Sequence, residues 1–202
     1  MVLEQGLVSD AREIATIYRA AFPESVQFFF AGKNPLRLLD LLELSFSMVF
    51  HWGGQALVVK DEQGKLVAYC LYYSNKRHPK RDYKALLTTA LRLVVKINPL
   101  EVICLLCNKV VIVVSTKRWT NYGSATAQIL SIAVLPSAQG EGIGTQLLQA
   151  VLKQLPHEGV ALNVRTKNDA GRRLYKSAGF QVCGSTRDYL GEWLMLIRPA
   201  GD

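Results

Sequence analysis

Three glycines within five residues, Gly140, Gly142 and Gly144, separate a strand-like run from a helix-like run. The strand-like run covers residues 127–134, and leucines and valines repeat at helical spacing from about residue 145. Glycine lets the backbone approach a ligand closely and adopt positive φ without steric cost. The first N–H groups of the helix have no intrahelical partners and lie at the positive end of its dipole. The segment therefore predicts a binding site for an anion such as phosphate.

The rest of the chain alternates between β-like and helix-like segments. A strand and a helix open the sequence, with Asp10 and Glu13 spaced as in a capping box. Two runs rich in β-forming residues, 55–61 and 65–73, are joined like a hairpin. No internal repeat and no linker rich in Pro, Gly or Ser interrupts the pattern. The sequence predicts one α/β domain over residues 1–202.

Composition and charge limit the classes of protein to which this chain can belong. The net charge of +8 favours anionic partners, among them nucleic acids and cofactors that carry phosphate. No run of about 18 apolar residues is present, so no membrane span is predicted. The first residues lack a basic segment followed by an apolar one, which predicts a cytoplasmic location. Cys104 and Cys107 form a CxxC inside an apolar run without a second pair, which predicts two buried thiols and no metal site.

Three kinds of phosphate-binding loop compete for the glycine segment. A Walker A loop needs Lys followed by Ser or Thr after its last glycine, and Thr145 follows Gly144 here. The dinucleotide motif GxGxxG needs a third glycine where Thr145 stands. The third kind, Gln/Arg-x-x-Gly-x-Gly, is matched at every position by Gln139, Gly142 and Gly144.

With the downstream residues, the sequence resembles the GCN5-related N-acetyltransferases (GNAT family), which take an acetyl group from acetyl-CoA. Members of this family have an Asn after the next strand, then a small residue, Leu-Tyr and Gly-Phe at fixed offsets. Gly171 stands where alanine is usual. The resemblance covers residues 125–198 well and residues 1–73 by element order only. The matching residues are Asn168, Gly171, Leu174, Tyr175, Gly179 and Phe180.

The resemblance implies an α/β fold of a particular kind. We expect a mixed, mostly antiparallel sheet of six or seven strands flanked by about four helices. A helical or strand insertion is expected at about residues 75–125, outside the resemblance. The cofactor is expected to enter where the strands at 127–134 and 160–164 splay apart.

The resemblance also implies residues that bind acetyl-CoA, which acts as co-substrate without a metal. The pantetheine arm would pair with strand backbone at Ile132, Ala133 and Val134. Asn168 would hydrogen-bond the arm from the opposite side. The diphosphate would bind the backbone amides of Gln139, Gly140, Glu141, Gly142, Ile143, Gly144 and Thr145.

Tyr175 occupies the position of the family's usual general acid. A phenol can protonate the departing thiolate of CoA, although Tyr175 could instead merely pack. In relatives that acetylate protein N-termini, a Glu lies five residues before the conserved Asn, and Asn163 stands there in this sequence. The base could come from Glu24, His51 or Glu192, or from a water chain. Alternatively, the acceptor is a hydroxyl or an already neutral amine.

The expected function is acetyl-CoA-dependent N-acetyl transfer by direct attack of an amine on the thioester. A small molecule, an amino-sugar or a protein could serve as acceptor, and a strand amide near Ile132 would stabilise the oxyanion. The alternative is a non-catalytic acyl-CoA sensor of the same fold. Only the positive charge favours a nucleic-acid-binding module. The missing third glycine of the GxGxxG motif argues against a nicotinamide oxidoreductase.

Residues 75–125 are the least interpretable part of the chain. They open with basic residues, including Lys76 and Arg81 around His78, and then become apolar. The basic residues could be a solvated helix face or a patch for an acidic partner. The apolar part could cover the substrate cleft, form a homodimer face or pack in the core. Elsewhere, Phe28, Phe29 and Phe30 could line the acceptor pocket or the core, and the tryptophans Trp52, Trp119 and Trp193 are expected in the core or the cleft wall.

Overall fold

The fold was examined in a computed structural model that describes residues 1–30, 34–76, 81–118 and 125–201, without the side chains of residues 27–30 and 118. His78, Trp119 and the side chains of Phe28, Phe29 and Phe30 therefore lie outside the described part. The strands are β1 (Val2–Gly6), β2 (Gln55–Lys60), β3 (Leu66–Ser74), β4 (Lys117–Arg118), β5 (Ala125–Val134), β6 (Gly159–Arg165), β7 (Gln181–Asp188) and β8 (Gly191–Arg198).

The strands form one mixed sheet in the order β1-β2-β3-β5-β6-β8-β7-β4. Every neighbouring pair is antiparallel except β5 and β6. Seven strands have five or more residues, and β4 adds a two-residue edge. The predicted fold class, a mixed and mostly antiparallel α/β sheet, is confirmed.

Among the described residues, seven α-helices accompany the sheet, more than the four or so expected beside the insertion. The additional one is α2, which begins at Pro23 directly after α1 ends and which the sequence did not predict. Pro23 occupies the first turn of α2, where its fixed φ and missing N–H are tolerated. The helices are α1 (Ala11–Ala21), α2 (Pro23–Phe30), α3 (Pro35–His51), α4 (Tyr83–Lys96), α5 (Pro99–Ser115), α6 (Ile143–Gln154) and α7 (Asp169–Ser177).

Each face of the sheet has its own apolar core. On one face, Leu147, Leu148 and Val151 of α6 pack among side chains of β3, β5 and β6. On the other face, α1 and α3 cover β2 and β3, with Ile14 and Ile17 fully buried. We refer to these as the α6 face and the α1 face.

The capping box predicted at the start of α1 is absent. Asp10 is the residue before α1, but its Oδ2 accepts a hydrogen bond from the N–H of Leu7 (2.7 Å) and closes a preceding 3-10 turn. Glu13 reaches across to β3, where its Oε2 accepts from the N–H of Leu66 at 3.1 Å. Both carboxylates thus satisfy backbone donors outside α1. The hydrogen bond of Glu13 depends on the packing of α1 against β3.

The insertion at 75–125 is helical over most of its described length. α4 packs against α3, and α5 packs against β7. In the described part of the chain, no single helix is long and apolar enough to cross a bilayer; α4 and α5 reach that length and composition only as a pair, bent by 112°. Cys104 and Cys107 are both exposed on α5. The prediction that they are buried is wrong, because α5 turns its apolar side chains outward.

A buried ion pair ties the second half of the sheet together. The Arg165 guanidinium at the end of β6 donates to both oxygens of Asp188 on β7 (3.1 and 3.0 Å) and stacks 4.2 Å from the ring centroid of Trp193 on β8. Asp188 is 6% exposed. Burial alone raises the pKa of this carboxyl, but the hydrogen bonds from Arg165 and Trp193 outweigh it and leave the pKa below its usual value.

Removing the arginine should leave the Asp188 carboxylate buried without its cation. We expect Arg165→Leu to lower the free energy of unfolding at neutral pH by about 3 kcal/mol. The wild-type pair stabilises the fold above the ordinary carboxyl pKa and loses this effect as pH falls through the lowered one. In the variant, protonation relieves the unpaired charge, so the deficit should shrink as pH falls to about 4. Urea unfolding at several pH values measures both effects.

Arg187→Leu is the matched control, because Arg187 is exposed and its side chain forms no ion pair within the described residues. It should change stability by less than about 0.5 kcal/mol. The double variant Arg165→Leu with Asp188→Asn should recover part of the loss. An Arg165→Leu deficit that does not change with pH would contradict the assignment.

Candidate active site

β5 and β6 run together only at their beginnings. Ala127 lies opposite Val160 and Gln128 opposite Ala161, and no later pairing between these two strands exists. β5 continues to Val134 with β3 on its other side. The divergence predicted from the sequence is therefore present, and it leaves one edge of β5 facing an open cleft.

The start of α6 presents a row of unused backbone donors beside this cleft. The five successive N–H groups from Gly140 to Gly144 have no hydrogen-bond acceptor within the described residues. The ends of the predicted segment differ, because the Thr145 N–H donates to the carbonyl of Gly142 (3.0 Å) and the Gln139 N–H makes a long bond to Pro136 (3.4 Å). Of the seven predicted amides, the central five are open to an anion.

The side chain of Gln139 holds the loop against the end of β5. Its Nε2 donates to the carbonyl of Val134 at 3.0 Å. This contact gives a physical reason for an amide side chain at the first position of the motif. It closes the loop without placing a charge beside the open backbone donors.

Two loop glycines adopt conformations that other residues rarely take. Gly140 has φ +90° and Gly142 φ +79°, and a Cβ at either position would point into open space. Gly144 differs, since its Cβ would only touch Val134 and Leu174 at ordinary contact distances (3.7 and 3.8 Å). Gly140 and Gly142 thus shape the loop, and Gly144 lies where α6 approaches β5 and α7.

Asn168 caps α7 and lies at the carboxyl end of β6. Its Oδ1 accepts from the N–H of Gly171 at 2.8 Å. A Cβ on Gly171 would lie 2.9 Å from the Asn168 Nδ2, so the capping side chain lies close against this glycine. The Nδ2 group has no acceptor among the described residues and remains a donor for a ligand.

Tyr175 on α7 is 7% exposed and belongs to the core of the α6 face. Its ring packs edge-on against Phe180, with centroids 5.9 Å apart. Its hydroxyl has no hydrogen-bond partner within the described part of the chain. Burial, together with the nearby Cys70 thiol, raises the pKa of the phenol well above its ordinary value. A buried hydroxyl without a partner is expected to find one in a bound ligand.

The strand residues predicted to contact the pantetheine arm divide between the two faces. Ile132 and Val134 pack partly buried on the α6 face, and Ala133 is buried on the α1 face. Leu130 has no partner in β3, because Leu71 lies opposite Ser131 and Tyr72 opposite Ile129. This bulge is next to the point where β5 leaves β6.

The α1 face of the cleft carries polar residues, and among those named below the sequence singled out only Asn163. Val160, Leu162 and Val164 enter the core of the α6 face, so Asn163 and Arg165 point to the other side. Tyr18 of α1 is half-buried, and burial raises its pKa although the nearby Arg165 opposes the shift. Ser131 and Tyr69 share a hydrogen bond of 2.8 Å. Spacing alone could have placed Asn163 with Arg165, but not with Tyr18.

A cavity of about 530 Å³ opens on the same face between α3, α4 and β5. Trp52 forms part of its wall, as expected, and is stacked 4.5 Å from the Arg81 guanidinium. The cavity is large enough for a small molecule or an end of a peptide. Its lining residues are Met48, Val49, Trp52, Gly54, Tyr73, Asn75, Leu86, Gln128 and Leu130.

The candidate bases do not converge. Glu24 is exposed on α2, and His51 lies at the end of α3 next to the cavity-lining Trp52. Glu192 alternates with Leu194 and therefore lies on the α6 face of β8, opposite to Asn163. Within the described residues, no group of three His, Cys, Asp or Glu side chains could hold a metal ion.

Known proteins with similar sequences cover part of this chain. The N-alpha-acetyltransferase RimI of Mycobacterium tuberculosis is 45% identical over 62 residues, 31% of this chain and 39% of that protein. A ribosomal protein bS18-alanine N-acetyltransferase of Escherichia coli is 39% identical over 66 residues and matched over 45% of its length. The chain thus spans less than half the length of these relatives.

Solved structures match over nearly the whole chain. An N-acetyltransferase from Staphylococcus aureus superposes with a TM-score of 0.64 at 19% identity, covering 98% of this chain and 100% of that one. A GNAT superfamily phosphinothricin acetyltransferase from Sinorhizobium meliloti, solved in complex with AcCoA, superposes with a TM-score of 0.60 at 18% identity. The match covers 99% of this chain and 88% of that one. At these identities the likeness establishes the fold.

Family membership follows from a match over most of the chain. The sequence profile described as "Acetyltransferase (GNAT) family" matches residues 12–180. That region includes the loop at Gly140–Gly144, the divergent strands and Tyr175. The protein belongs to the GNAT family of acetyltransferases, as the resemblance predicted.

Proposed function

We propose that the protein is an acetyl-CoA-dependent N-acetyltransferase and that its catalytic unit extends over residues 1–202 as one domain. The observation that carries the proposal is the row of five open amides at the start of α6. These donors suit a diphosphate, since they combine oriented N–H groups with the positive end of a helix dipole. Strands from both ends of the chain, β1 and β8, belong to the same sheet, which supports a single unit.

In the proposed complex, the pantetheine arm extends from the loop into the β5–β6 cleft. The open edge of β5 at Ile132, Ala133 and Val134 offers backbone groups for hydrogen bonding, and Asn168 Nδ2 offers a donor from the other wall. The thioester then lies beside the Tyr175 hydroxyl. This arrangement gives partners to the five open amides, the Asn168 Nδ2 group and the Tyr175 hydroxyl.

The reaction we propose is direct transfer. A neutral amine forms the new C–N bond at the thioester carbonyl, and a strand amide near Ile132 stabilises the oxyanion. The C–S bond breaks, and the sulfur takes the Tyr175 proton. The proton lost by the amine nitrogen returns to the phenolate through water, so no net charge accumulates in the buried site.

We propose an amine at a peptide end as the acceptor. The two relatives with similar sequences are named as an N-alpha-acetyltransferase and as an N-acetyltransferase for alanine of ribosomal protein bS18, which supports this class of acceptor. Asn163 cannot accept a proton, and the Asp188 carboxylate on the same face is paired with Arg165 and has a lowered pKa. We therefore assign proton removal to water and expect activity to depend on the fraction of acceptor that is already neutral.

The free and exposed thiols of Cys104 and Cys107 fit a reducing compartment and support a cytoplasmic location. A second function remains open because of Asn163. A protein with the same loop but no catalytic base could act as an acyl-CoA sensor. Binding without turnover on peptide and small amine acceptors would favour the sensor.

The loop can be tested with two matched glycine substitutions. Gly142 (φ +79°) and Gly64 (φ +77°) share a left-handed conformation, and a Cβ at either site meets nothing within 4 Å. Gly142→Ala and Gly64→Ala should therefore cost similar stability. Only Gly142→Ala should weaken acetyl-CoA binding, by roughly ten- to a hundredfold, because it disturbs donors to a charged group. Titration calorimetry measures both; equal affinities for the two variants would exclude the loop as the diphosphate site.

The role of Tyr175 can be tested against another tyrosine of the same core. We expect Tyr175→Phe to lower kcat by roughly a hundredfold or more, with little change in the affinity for acetyl-CoA. Tyr72 is also buried, and its hydroxyl donates to Gln154 Oε1 at 2.5 Å. Tyr72→Phe should lose about 1 kcal/mol of stability and keep its kcat. A Tyr175→Phe protein with normal release of free CoA thiol would remove the residue from catalysis.

The pH profile gives a further test of the phenol. Because burial raises the pKa of Tyr175 above 10.0, its proton stays in place throughout the neutral and mildly basic range. We expect kcat at saturating acceptor to rise with pH as the amine becomes neutral and not to fall before about pH 10. A basic limb below about pH 9 that disappears in Tyr175→Phe would contradict the raised pKa.

A further inference from the structure

α4 and α5 expose an unusual amount of apolar surface. Of the 23 large apolar side chains that are exposed among the described residues, 13 lie on these two helices. On α4, Leu91, Val94 and Val95 are 58%, 70% and 86% exposed. On α5, Leu106 and Val114 are 61% and 80% exposed. Such a concentration of exposed apolar side chains in one segment of the chain indicates an interaction surface.

The polarity of α5 is inverted relative to an ordinary amphipathic helix. Its buried side chain is Asn108, whose Oδ1 accepts from the N–H of Tyr189 at 3.1 Å. Further along the same helix, Ser115 Oγ accepts from the N–H of Arg187 (2.9 Å), and Thr186 Oγ1 donates to the carbonyl of Ile112 (3.0 Å). The helix thus docks on β7 through polar groups and turns its apolar side outward.

α4 also exposes apolar side chains, while Leu86 and Leu93 are half-buried beside its one buried residue. Its buried side chain is Thr89. Leu87, Leu91 and Val94 recur at helical spacing along its outer surface. Two consecutive helices whose most exposed side chains are largely apolar are expected where the outer medium is itself apolar.

The net charge of the protein is concentrated in the same segment. Residues 76–118 contain ten Lys and Arg against two acidic residues, and the rest of the chain contains fourteen of each sign. The whole excess of +8 therefore accompanies the apolar helices. Lys84, Arg92 and Lys109 are exposed on α4 and α5 and form no ion pair within the described residues.

We propose that α4 and α5 lie on the surface of a bilayer that contains anionic lipid. Their apolar outer faces enter the boundary of the acyl chains, and the surrounding lysines and arginines contact the lipid headgroups. A second copy of the chain is a poorer occupant, because it would place one +8 segment against another. The proposal concerns membrane binding and does not depend on the acetyltransferase activity.

Vesicle flotation with the full-length chain tests the proposal. The probes are vesicles of phosphatidylcholine alone and vesicles with about 30 mol % phosphatidylglycerol. We expect binding to the anionic vesicles that is roughly tenfold tighter or more, and that weakens when the salt rises from about 0.1 to about 1 M. No flotation with the anionic vesicles would overturn the proposal.

Matched triple substitutions separate this surface from general hydrophobicity. Leu106, Val110 and Val113 on α5 are 61%, 61% and 64% exposed, and Val2, Leu7 and Val8 near the N-terminus are 62%, 62% and 45% exposed. Changing the α5 trio to Gln should abolish flotation, and changing the N-terminal trio to Gln should not. Neither trio is part of the proposed active site, so acetyl-CoA binding reports that both variants are folded.

Sedimentation in the absence of vesicles tests whether a second copy of the chain covers this surface instead. We expect a monomer for the wild type and for the α5 variant. A dimer that the α5 substitutions dissociate, in a protein that does not float with anionic vesicles, would identify a second copy as the occupant and overturn the proposal.

Discussion

The early end of parallel pairing between β5 and β6 is the constraint on which the candidate site depends. After Gln128 and Ala161 the two strands separate, so β5 keeps β3 on one side and loses its partner on the other. An unpaired strand edge normally invites aggregation or covering by another chain. Here it opens beside the start of α6, whose first amides also lack acceptors. Two sets of unsatisfied backbone groups thus lie next to each other, and one extended ligand with a diphosphate at its end can satisfy both.

The two walls of this cleft have different chemical characters. The α6 face supplies the backbone donors, Asn168 and the buried Tyr175, all of which suit the acyl donor. The α1 face supplies Asn163, Tyr18 and the cluster of Arg165, Asp188 and Trp193. At neutral pH, Asp188 is the one proton acceptor among these five side chains, and it is paired with Arg165. Because Asp188 is held by two hydrogen bonds from Arg165 and its pKa is lowered, it is a structural anion and a weak base.

The insertion adds a third surface to a conserved architecture of sheet and helices. α4 leans on α3, where Lys96 Nζ contacts Asp40 at 2.5 Å and Arg37 donates to the Lys96 carbonyl, while α5 is fastened to β7 by polar groups. Hydrogen bonds and ion pairs thus help to hold both helices to the fold, and many of their other apolar side chains remain exposed. Since Leu86 of α4 also lines the cavity next to Trp52, the proposed membrane surface and the acceptor side of the cleft share a helix.

The sequence by itself determined the parts of this protein that depend on local rules. Glycines at fixed spacing before a helix indicated the loop of the candidate site, because positive φ at Gly140 and Gly142 is a property of single residues. Periodicity indicated most of the strands and helices, and the resemblance carried by the loop and downstream motifs indicated the family. The tertiary structure alone decided which polar groups meet. Asp10 and Glu13 bind backbone groups outside the expected capping box. Arg165, Asp188 and Trp193 meet from three different strands. Cys104 and Cys107 are exposed. Residues far apart in the chain meet through the register of the sheet, and an apolar helix is buried or exposed according to what packs against it, so neither outcome could be determined from local sequence.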